Sequence, residues 1–586
     1  MLTKNQFDIL YLLNSSSPVS QRSLAKDSGM SLGLVNKTLK SLKEEGLVSE
    51  ENSLTSAGKA ALDPYKVDNA IILAAGMATR FVPVSYEFPK GLTVVKGEVL
   101  IERQIRQLKE AGVQEIIIVV GHMMEKFLYL ADKFGAKIVV NNQYRHKNTH
   151  SSLYFAREHL KNSYVCCADN YFPKNVFRSH EYHSLYSTVY MPGVWRGERG
   201  VTTDKNGLII ATQRPAVDQW VMNGYAYLNR DFTGKFRPIL ESIYDTPGTD
   251  GLYWEQVYAE HVDELHLYGP RFEPDEILEF DSVAELEAFD PDYIKHNDIA
   301  MVRNICSILH CTPADIHNIR PIQKGYTNRS FRFVCGGKAY VYRTPGQISA
   351  DWINRQSEKN ALELAKMLGI DDSYIYEDAD AGWKISEFVE ITDDFRFSDP
   401  AHMEKLCSLL RVLYQSPMKC GRPMDYLKEA NLLLARLSAL DEDAGRVAME
   451  LLPEIRMIDQ AIKADNWPVQ LAHNDLYEDN LLISGDKLYL IDWEYAGDTD
   501  IGYDLCKLFV KNNAEGADID QWLSLYYGRV PSAQERKHIV GCAAVAFYYW
   551  YVWALYMVKR GNDYSDLMLQ YLTISKHYQK EFFAQA

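Results

Sequence analysis

Basic residues are in short supply in this chain: 63 Lys and Arg face 79 Asp and Glu, a net charge of −16. That deficit excludes a protein built throughout to coat nucleic acid or to hug an anionic membrane. The nine cysteines form no Cys-x-x-Cys pair, and the tightest cluster, Cys166-Cys167, has the wrong spacing for zinc. An odd, scattered set of thiols suits a reducing compartment better than a disulfide framework. The opening stretch MLTKNQFDILYLLN holds neither a long apolar signal core nor a small-residue cleavage site, so the expected location is cytoplasmic. Internal repeats and low-complexity tracts are lacking too. What remains is a globular composition, 47% hydrophobic and 24% charged, in 586 residues, with room for about three or four domains.

Long apolar runs are also scarce, with one exception. Residues 539–558, IVGCAAVAFYYWYVWALYMV, carry no formal charge over twenty positions, enough to cross a bilayer. Yet Tyr548, Tyr549, Trp550, Tyr551 and Trp553 crowd its middle, whereas membrane aromatics gather at the two interfaces. The tyrosine hydroxyls, Tyr556 included, would also need partners in hydrocarbon. The segment reads as a buried, aromatic-rich helix, without stable membrane insertion.

Residues 1–65 form a first domain. Ser20 offers a helix cap, Gly29 a break, and Leu34, Val35, Leu39 and Leu42 the 3.6-residue period of a second helix. GLVSEENSLTSAGKAAL then looks like a short strand, a polar tip and another strand or helix start. Helix, tight turn, helix and a small wing is the helix-turn-helix plan. The segment resembles the winged-helix domains of MarR-type regulators, which would set Ser31, Asn36, Lys37 and Lys40 against a DNA groove. A bland docking or dimerisation module is the alternative. Residues 1–62 hold seven basic and six acidic side chains, a weak balance for binding phosphates.

Residues 66–292 change rhythm. VDNAIILAAG, QEIIIVVG and AKIVVNN are apolar, β-branched strands, with the helical IERQIRQLKEAG between them. That alternation predicts a parallel α/β sheet with its ligands at the strand ends. After the first strand, Leu73-Ala74-Ala75-Gly76 makes a short-residue turn through which backbone N–H groups can approach phosphate. Arg80 and, in Phe88-Pro89-Lys90, Lys90 add cations to the same phosphates. Asp169, at the end of the strand NSYVCCA, is placed to hold a divalent metal against a triphosphate. Strand, Ala-Ala-Gly, arginine and Pro-Lys together resemble the sugar-phosphate and choline-phosphate nucleotidyltransferases. Along IERQIRQLKEAGVQEIIIVVGHMMEKF, NNQYRHKNTHSSLYFAREHL and ADNYFPKNVF the likeness narrows to bacterial CTP:phosphocholine cytidylyltransferases. The resemblance implies a Rossmann-like mixed sheet, a magnesium ion shared by Asp169 and Asp281, and CTP as the nucleotide. Arg80, Lys90 and Mg²⁺ would offset charge on the leaving pyrophosphate. A trimethylammonium group calls for aromatic faces and a carboxylate, with Trp195, Tyr253, Trp254 and Glu255 as candidates. The chain departs from the superfamily at Ala78, where glycine is usual, and at Gly91, where proline usually follows the lysine.

Residues 293–586 carry the sharper pattern. His473-Asn474-Asp475 and Asn480 precede Ile491-Asp492-Trp493-Glu494. Kinase chemistry needs an aspartate to receive the hydroxyl proton, here Asp475, and an Asn and an Asp to hold Mg²⁺, here Asn480 and Asp492. Upstream, Gly325, Thr327 and Asn328 lie in a loop suited to cover phosphates. Arg343 stands where kinases usually keep lysine, Glu358 is able to hold it, and Glu387 sits in the stretch expected at the adenine hinge. The segment resembles the choline and aminoglycoside kinases, with the arginine favouring the choline branch. That implies a protein-kinase-like fold with ATP as co-substrate. It also implies aromatics around a quaternary ammonium, with Trp493, Glu494, Trp550, Trp553 and Tyr564 as candidates. Trp550 and Trp553, three apart, share a helix face.

The expectation is a multidomain α/β and α+β chain that phosphorylates choline with ATP and then makes CDP-choline from phosphocholine and CTP. Choline and phosphocholine are the expected small-molecule partners. DNA at the winged helix and a homodimer remain open. So do two rivals: a choline- or nucleotide-sensing regulator with enzyme-derived domains, and the same enzyme pair acting on ethanolamine or another amino alcohol.

Overall fold

The computed structural model describes residues 1–15, 20–78, 81–280, 282–322, 328–346 and 353–585. It divides into two units, Met1–Asn304 and Ile305–Ala586. In the first, helices α1 (Lys4–Ser15), α2 (Gln21–Ser28), α3 (Leu32–Glu44) and α4 (Ser56–Leu62) open the chain. Ser20 Oγ caps α2 by accepting from Ser23 N, Gly29 ends it at φ 68°, and Ser31 Oγ caps α3. Phe7, Leu10, Leu24, Val35, Leu39 and Leu42 close a small core between them. The wing is reduced to one antiparallel bridge, Val48 with Leu54, after which Thr55 caps α4. Ser31, Asn36, Lys37 and Lys40 lie exposed along α3.

The opposite side of this small domain is sealed to the sheet domain by aromatic rings. Phe7 packs 5.1 Å from Tyr65 and 5.3 Å from Tyr182, and Tyr182 Oη donates to Leu2 O at 2.8 Å. The Arg178 guanidinium lies 4.1 Å over the Tyr11 ring. Such contacts add to the stabilisation from area burial at the junction.

The sheet is built on β1 (Asn69–Ala74), buried at every position. It pairs in parallel with Glu115–Val120 on one side and Ser163–Cys167 on the other; Lys137–Val140 extends the first side. Ala216–Leu228 joins Ser163–Cys167 antiparallel and carries the long strand Leu185–Trp195. The sheet is therefore mixed. Alternation divides β1 between two cores: Ala70, Ile72 and Ala74 face one with Ile101, Ile105 and Leu108, while Ile71 and Leu73 face the other with Leu153, Phe232 and Phe236. Coverage on both faces is why the strands are apolar throughout.

The second unit has a five-stranded antiparallel sheet in the order Ile316–Ile322, Asn328–Cys335, Lys338–Pro345, Lys384–Glu387, Tyr374–Glu377. Helix Arg355–Met367 follows the third strand in sequence and packs against Tyr374–Glu377, and the rest is mainly helical. The apolar segment forms helix Ala533–Lys559, long and apolar enough to cross a membrane by composition, yet 94% of its most apolar window is buried. Gly541 lets its neighbours close in, since a Cβ there would lie 2.7 Å from Ile462 Cγ2. At its start, buried His538 is gripped from both sides, Nδ1 at 2.7 Å from Asp465 and Nε2 at 2.8 Å from Asp500.

Tyr182→Ala should remove about 3 kcal/mol of packing at the aromatic seam. Hydrogen exchange in α1 should rise by about two orders of magnitude while β1 keeps its protection.

Two candidate active sites

The first site lies where the parallel strands stop. Beyond Ala74 and Cys167 the chain turns through Ala75–Ala78 and Ala168–Asp169, around a cavity of about 330 Å³. Leu73, Ala74, Ala75, Gly76, Lys90 and Asp169 all line it. Lys90 Nζ donates to Asp169 Oδ2 at 2.8 Å, and Phe81 lies beneath the ammonium, 5.6 Å from it. Ala78 holds φ 45°, a left-handed value that explains why glycine is the usual residue there. At Gly91 an added Cβ would stand 2.7 Å from Ala168 Cβ, so a side chain there would require the Asp169 turn to shift. Arg80 and Asp281 lie outside the described residues.

A second lobe of about 290 Å³ shares Thr149, Cys167, Asp169 and Tyr253 with the first. Its wall carries Glu255, Arg199 and Arg214. Glu255 Oε1 accepts from Tyr186 Oη at 3.0 Å, while Oε2 takes no hydrogen bond from another described residue. Burial pushes the Glu255 carboxyl up to about 7. The Arg199 guanidinium is held below its ordinary value by burial and by neighbouring Arg214. Tyr253, 42% exposed, edges both lobes. Trp195 does not join them: it is 41% exposed and gives its indole N–H to Pro192 O at 2.8 Å. Trp254 is a core residue against Phe236.

The second site is organised by one buried guanidinium. Arg343, 5% exposed, donates to both Glu358 and Asp492 and stands 3.6 Å from Glu494. Lys384 Nζ lies 3.3 Å from Glu358 and 3.6 Å from Asp492, and Arg355 donates to Glu358 at 2.6 Å. Burial opposes charge on Glu358, but Arg343, Lys384 and Arg355 hold its carboxyl down to about 2. Glu494 goes the other way, pushed up to about 7 by burial and by Asp492. Asn328 Nδ2 donates to Glu494 Oε2 at 2.8 Å. Gly325 and Thr327 lie outside the described residues. Glu387 is exposed at the end of its strand, 3.3 Å from Lys338.

Asp475 sits in a loop clamped from behind. Buried Asp504 accepts from His473 N at 2.7 Å and Asn474 N at 2.8 Å, and also from Tyr414 Oη. Asn480 Nδ2 donates to Asp475 O and Oδ2 at 3.0 and 3.1 Å, which leaves its carbonyl oxygen as the available ligand atom. Burial raises the Asp475 carboxyl above the ordinary carboxylate range. Asn480 and Asp492 offer only oxygen donors, which suits a hard divalent cation.

Trp550, Trp553 and Tyr564 come together, with centroid separations of 5.8 Å and 5.4 Å along the series. Tyr495 adds a ring 5.1 Å from Trp550, whose indole N–H has no partner among the described residues. Trp493 does not belong to this group. It is wholly buried, donates to Leu490 O at 2.9 Å and packs on His473, so it supports the loop instead of meeting a ligand. Glu494 belongs to the arginine cluster through its contacts with Arg343 and Asn328.

Residues 70–180 match the model of a MobA-like NTP transferase domain, residues 318–531 that of a phosphotransferase enzyme family, and residues 2–49 that of a winged helix-turn-helix DNA-binding domain. A choline-phosphate cytidylyltransferase of Streptococcus pneumoniae is 35% identical over 219 residues, 37% of this chain and 94% of that protein. A 2-aminoethylphosphonate cytidylyltransferase of Lancefieldella rimae is 34% identical over 230 residues, 39% of this chain and 93% of that protein. The chain belongs to the cytidylyltransferase family. It carries a winged helix before its cytidylyltransferase domain and a kinase-type domain after it. The crystal structure of a choline kinase from Streptococcus pneumoniae aligns with 48% of this chain and 97% of its own, at 22% identity and a TM-score of 0.39.

Several groups around the two sites escape a sequence reading. Arg199 and Arg214 of the cytidylyltransferase domain stand outside any motif, and only the fold sets them in one lobe with Glu255. Asp504 and Lys384 stand outside any motif; their signal is a buried charge, which needs coordinates to see.

Arg343→Met would leave Glu358, Asp492 and Glu494 without their shared cation. The expected cost is about 3–5 kcal/mol in the second unit, measured as an earlier denaturant midpoint for the Trp-rich helix signal.

Proposed function

We propose that the chain is a bifunctional enzyme whose kinase domain phosphorylates choline with ATP and whose cytidylyltransferase domain converts phosphocholine and CTP to CDP-choline and pyrophosphate. The observation that carries this reading is the second lobe at Asp169. Two guanidiniums, Arg199 and Arg214, and one inward carboxyl, Glu255, match the charges of a zwitterion with a phosphate and a quaternary ammonium. The lobe opens onto the nucleotide cavity at Asp169, where a phosphate oxygen of the acceptor could meet the α-phosphorus of CTP in line. Lys90, held by Asp169, is the proposed cation for the leaving pyrophosphate, and Arg80 is proposed to share that role.

In the kinase domain Asp475 is the proposed acceptor of the choline hydroxyl proton, its raised proton affinity fitting that role. Arg343 is the proposed phosphate-side cation, oriented by Glu358. The Trp550, Trp553, Tyr564 and Tyr495 rings supply faces for the trimethylammonium group. Mg²⁺ is proposed at Asp169 and Asp281 in one domain and at Asn480 and Asp492 in the other, where it would neutralise phosphate charge.

The phosphonate-activating relative favours a second reading for the cytidylyltransferase acceptor, 2-aminoethylphosphonate. A phosphonate already carries its phosphorus on carbon and needs no kinase. A kinase domain in the same chain therefore favours a phosphate ester. The winged helix is proposed to bind DNA through the exposed side chains of α3, with the chain cytoplasmic and dimeric.

Incubation with Mg²⁺, ATP, CTP and choline should yield CDP-choline by mass spectrometry only when both nucleotides are present. Asp475→Ala should abolish choline phosphorylation and spare CTP-dependent activation of added phosphocholine, and Asp169→Ala the reverse. No product from choline or phosphocholine, with turnover of 2-aminoethylphosphonate, would sink the choline reading. For the winged helix, charge reversal of Lys37 and Lys40 should weaken duplex DNA retention about tenfold or more and flatten its salt dependence.

A further inference from the structure

Two lysines beside the kinase loop have no role in the arrangement above. Lys507 is 1% exposed and Lys511 is half-buried, four residues apart at a short helix, Lys507–Val510. Neither ammonium has a hydrogen-bond acceptor or ion pair among the described residues. Each instead faces a ring: Lys507 Nζ lies 4.2 Å from the centre of Phe547, and Lys511 Nζ 3.2 Å from that of Tyr477. Lys507 is almost wholly enclosed and Lys511 partly so, which leaves each ammonium short of water as well as of an acceptor, and aromatic faces repay only part of that cost. Two such cations together raise the cost further, and an arriving anion would lower it.

The rings say where such an anion would lie. Tyr477 follows Asp475 by two residues, and its hydroxyl is 2.8 Å from that of Tyr571. Tyr571 packs on Phe547 at 5.7 Å and reaches within 6.4 Å of Trp550. The lysines thus stand on a wall running from the Asp475 loop to the aromatic group. Burial lowers the proton affinity of both, Lys511 to about 7, and both act on Asp475 against the effect of its burial.

We propose that Lys507 and Lys511 form the phosphate-binding pair of the acceptor half-site, holding the phosphoryl group once it has reached the amino-alcohol oxygen. The proposal rests on the kinase reading. In the transfer, the acceptor oxygen bonds to the γ-phosphorus, the bond from that phosphorus to the ADP oxygen breaks, and the hydroxyl proton passes to Asp475. The acceptor gains a phosphate group, and the two ammonium groups gain the acceptors they lack.

The test uses the full chain without CTP, so that the cytidylyltransferase site is idle, and follows ADP release from ATP and choline with phosphocholine added as product inhibitor. Lys511→Met should raise the inhibition constant of phosphocholine about tenfold or more, with KM for choline moving less than about threefold and KM for ATP unchanged. Lys511→Arg, which keeps the charge, should restore most of the inhibition. Lys507→Met should act in the same direction; being half-buried, Lys511 is the site that decides if the Lys507 variant does not fold. An unchanged inhibition constant overturns the proposal. So does a rise confined to KM for ATP, which would assign the pair to nucleotide phosphates. A wild-type chain that releases no ADP with choline fails the kinase reading itself, before any lysine variant is compared, and the proposal falls with it.

Discussion

A charge removed from water must be shared, and both catalytic domains are arranged around that constraint. In the kinase domain one guanidinium, Arg343, serves Glu358, Asp492 and Glu494, which come from a helix and from a loop far along the chain. Without the arginine those carboxylates would repel one another. With it, the antiparallel sheet, the helix Arg355–Met367 and the loop after Leu490 are tied at one point. The catalytic loop is held in the same manner from behind, by the single carboxylate of Asp504 on two consecutive backbone N–H groups.

The same constraint separates scaffold from site. Where every charged atom has a partner, as at His538 between Asp465 and Asp500, the group stabilises the fold. Where an unpartnered charged group borders a cavity or the wall beside the catalytic loop, a ligand can reach it. Glu255 Oε2 in the cytidylyltransferase lobe and the ammonium groups of Lys507 and Lys511 are of this second kind. The first suits a cation and the second an anion, and phosphocholine carries both.

The four residues Asp492-Trp493-Glu494-Tyr495 show how tightly the kinase domain is packed around its chemistry. Asp492 meets Arg343, Trp493 fills the core behind the loop, Glu494 accepts from Asn328, and Tyr495 turns its ring to Trp550. Neighbours in sequence face four different environments because the chain runs through a short helical turn, Trp493–Tyr495, with Asp492 at φ 66°. A family of side chains in a row is therefore no guide to a common ligand.

Much was legible without coordinates, because the signals were local. The strand before Leu73 is apolar since it is covered on both faces, and the helix cap at Ser20 stands beside the bond it makes. The spacing of Asp475, Asn480 and Asp492 reads as kinase chemistry because a loop and a short hairpin allow few other lengths. The aromatic run in residues 539–558 declared itself core by the position of its rings, and the fold buries it. What only the tertiary structure decided is which charges meet. Arg199 and Arg214 line one lobe with Glu255, Asp504 reaches the loop at His473, and Trp493 and Trp195 give their indole N–H groups to nearby carbonyls, one in the core and one at the surface. Local sequence sets backbone geometry over a few residues, whereas a partner across the fold depends on register, crossing and burial, which belong to the whole chain.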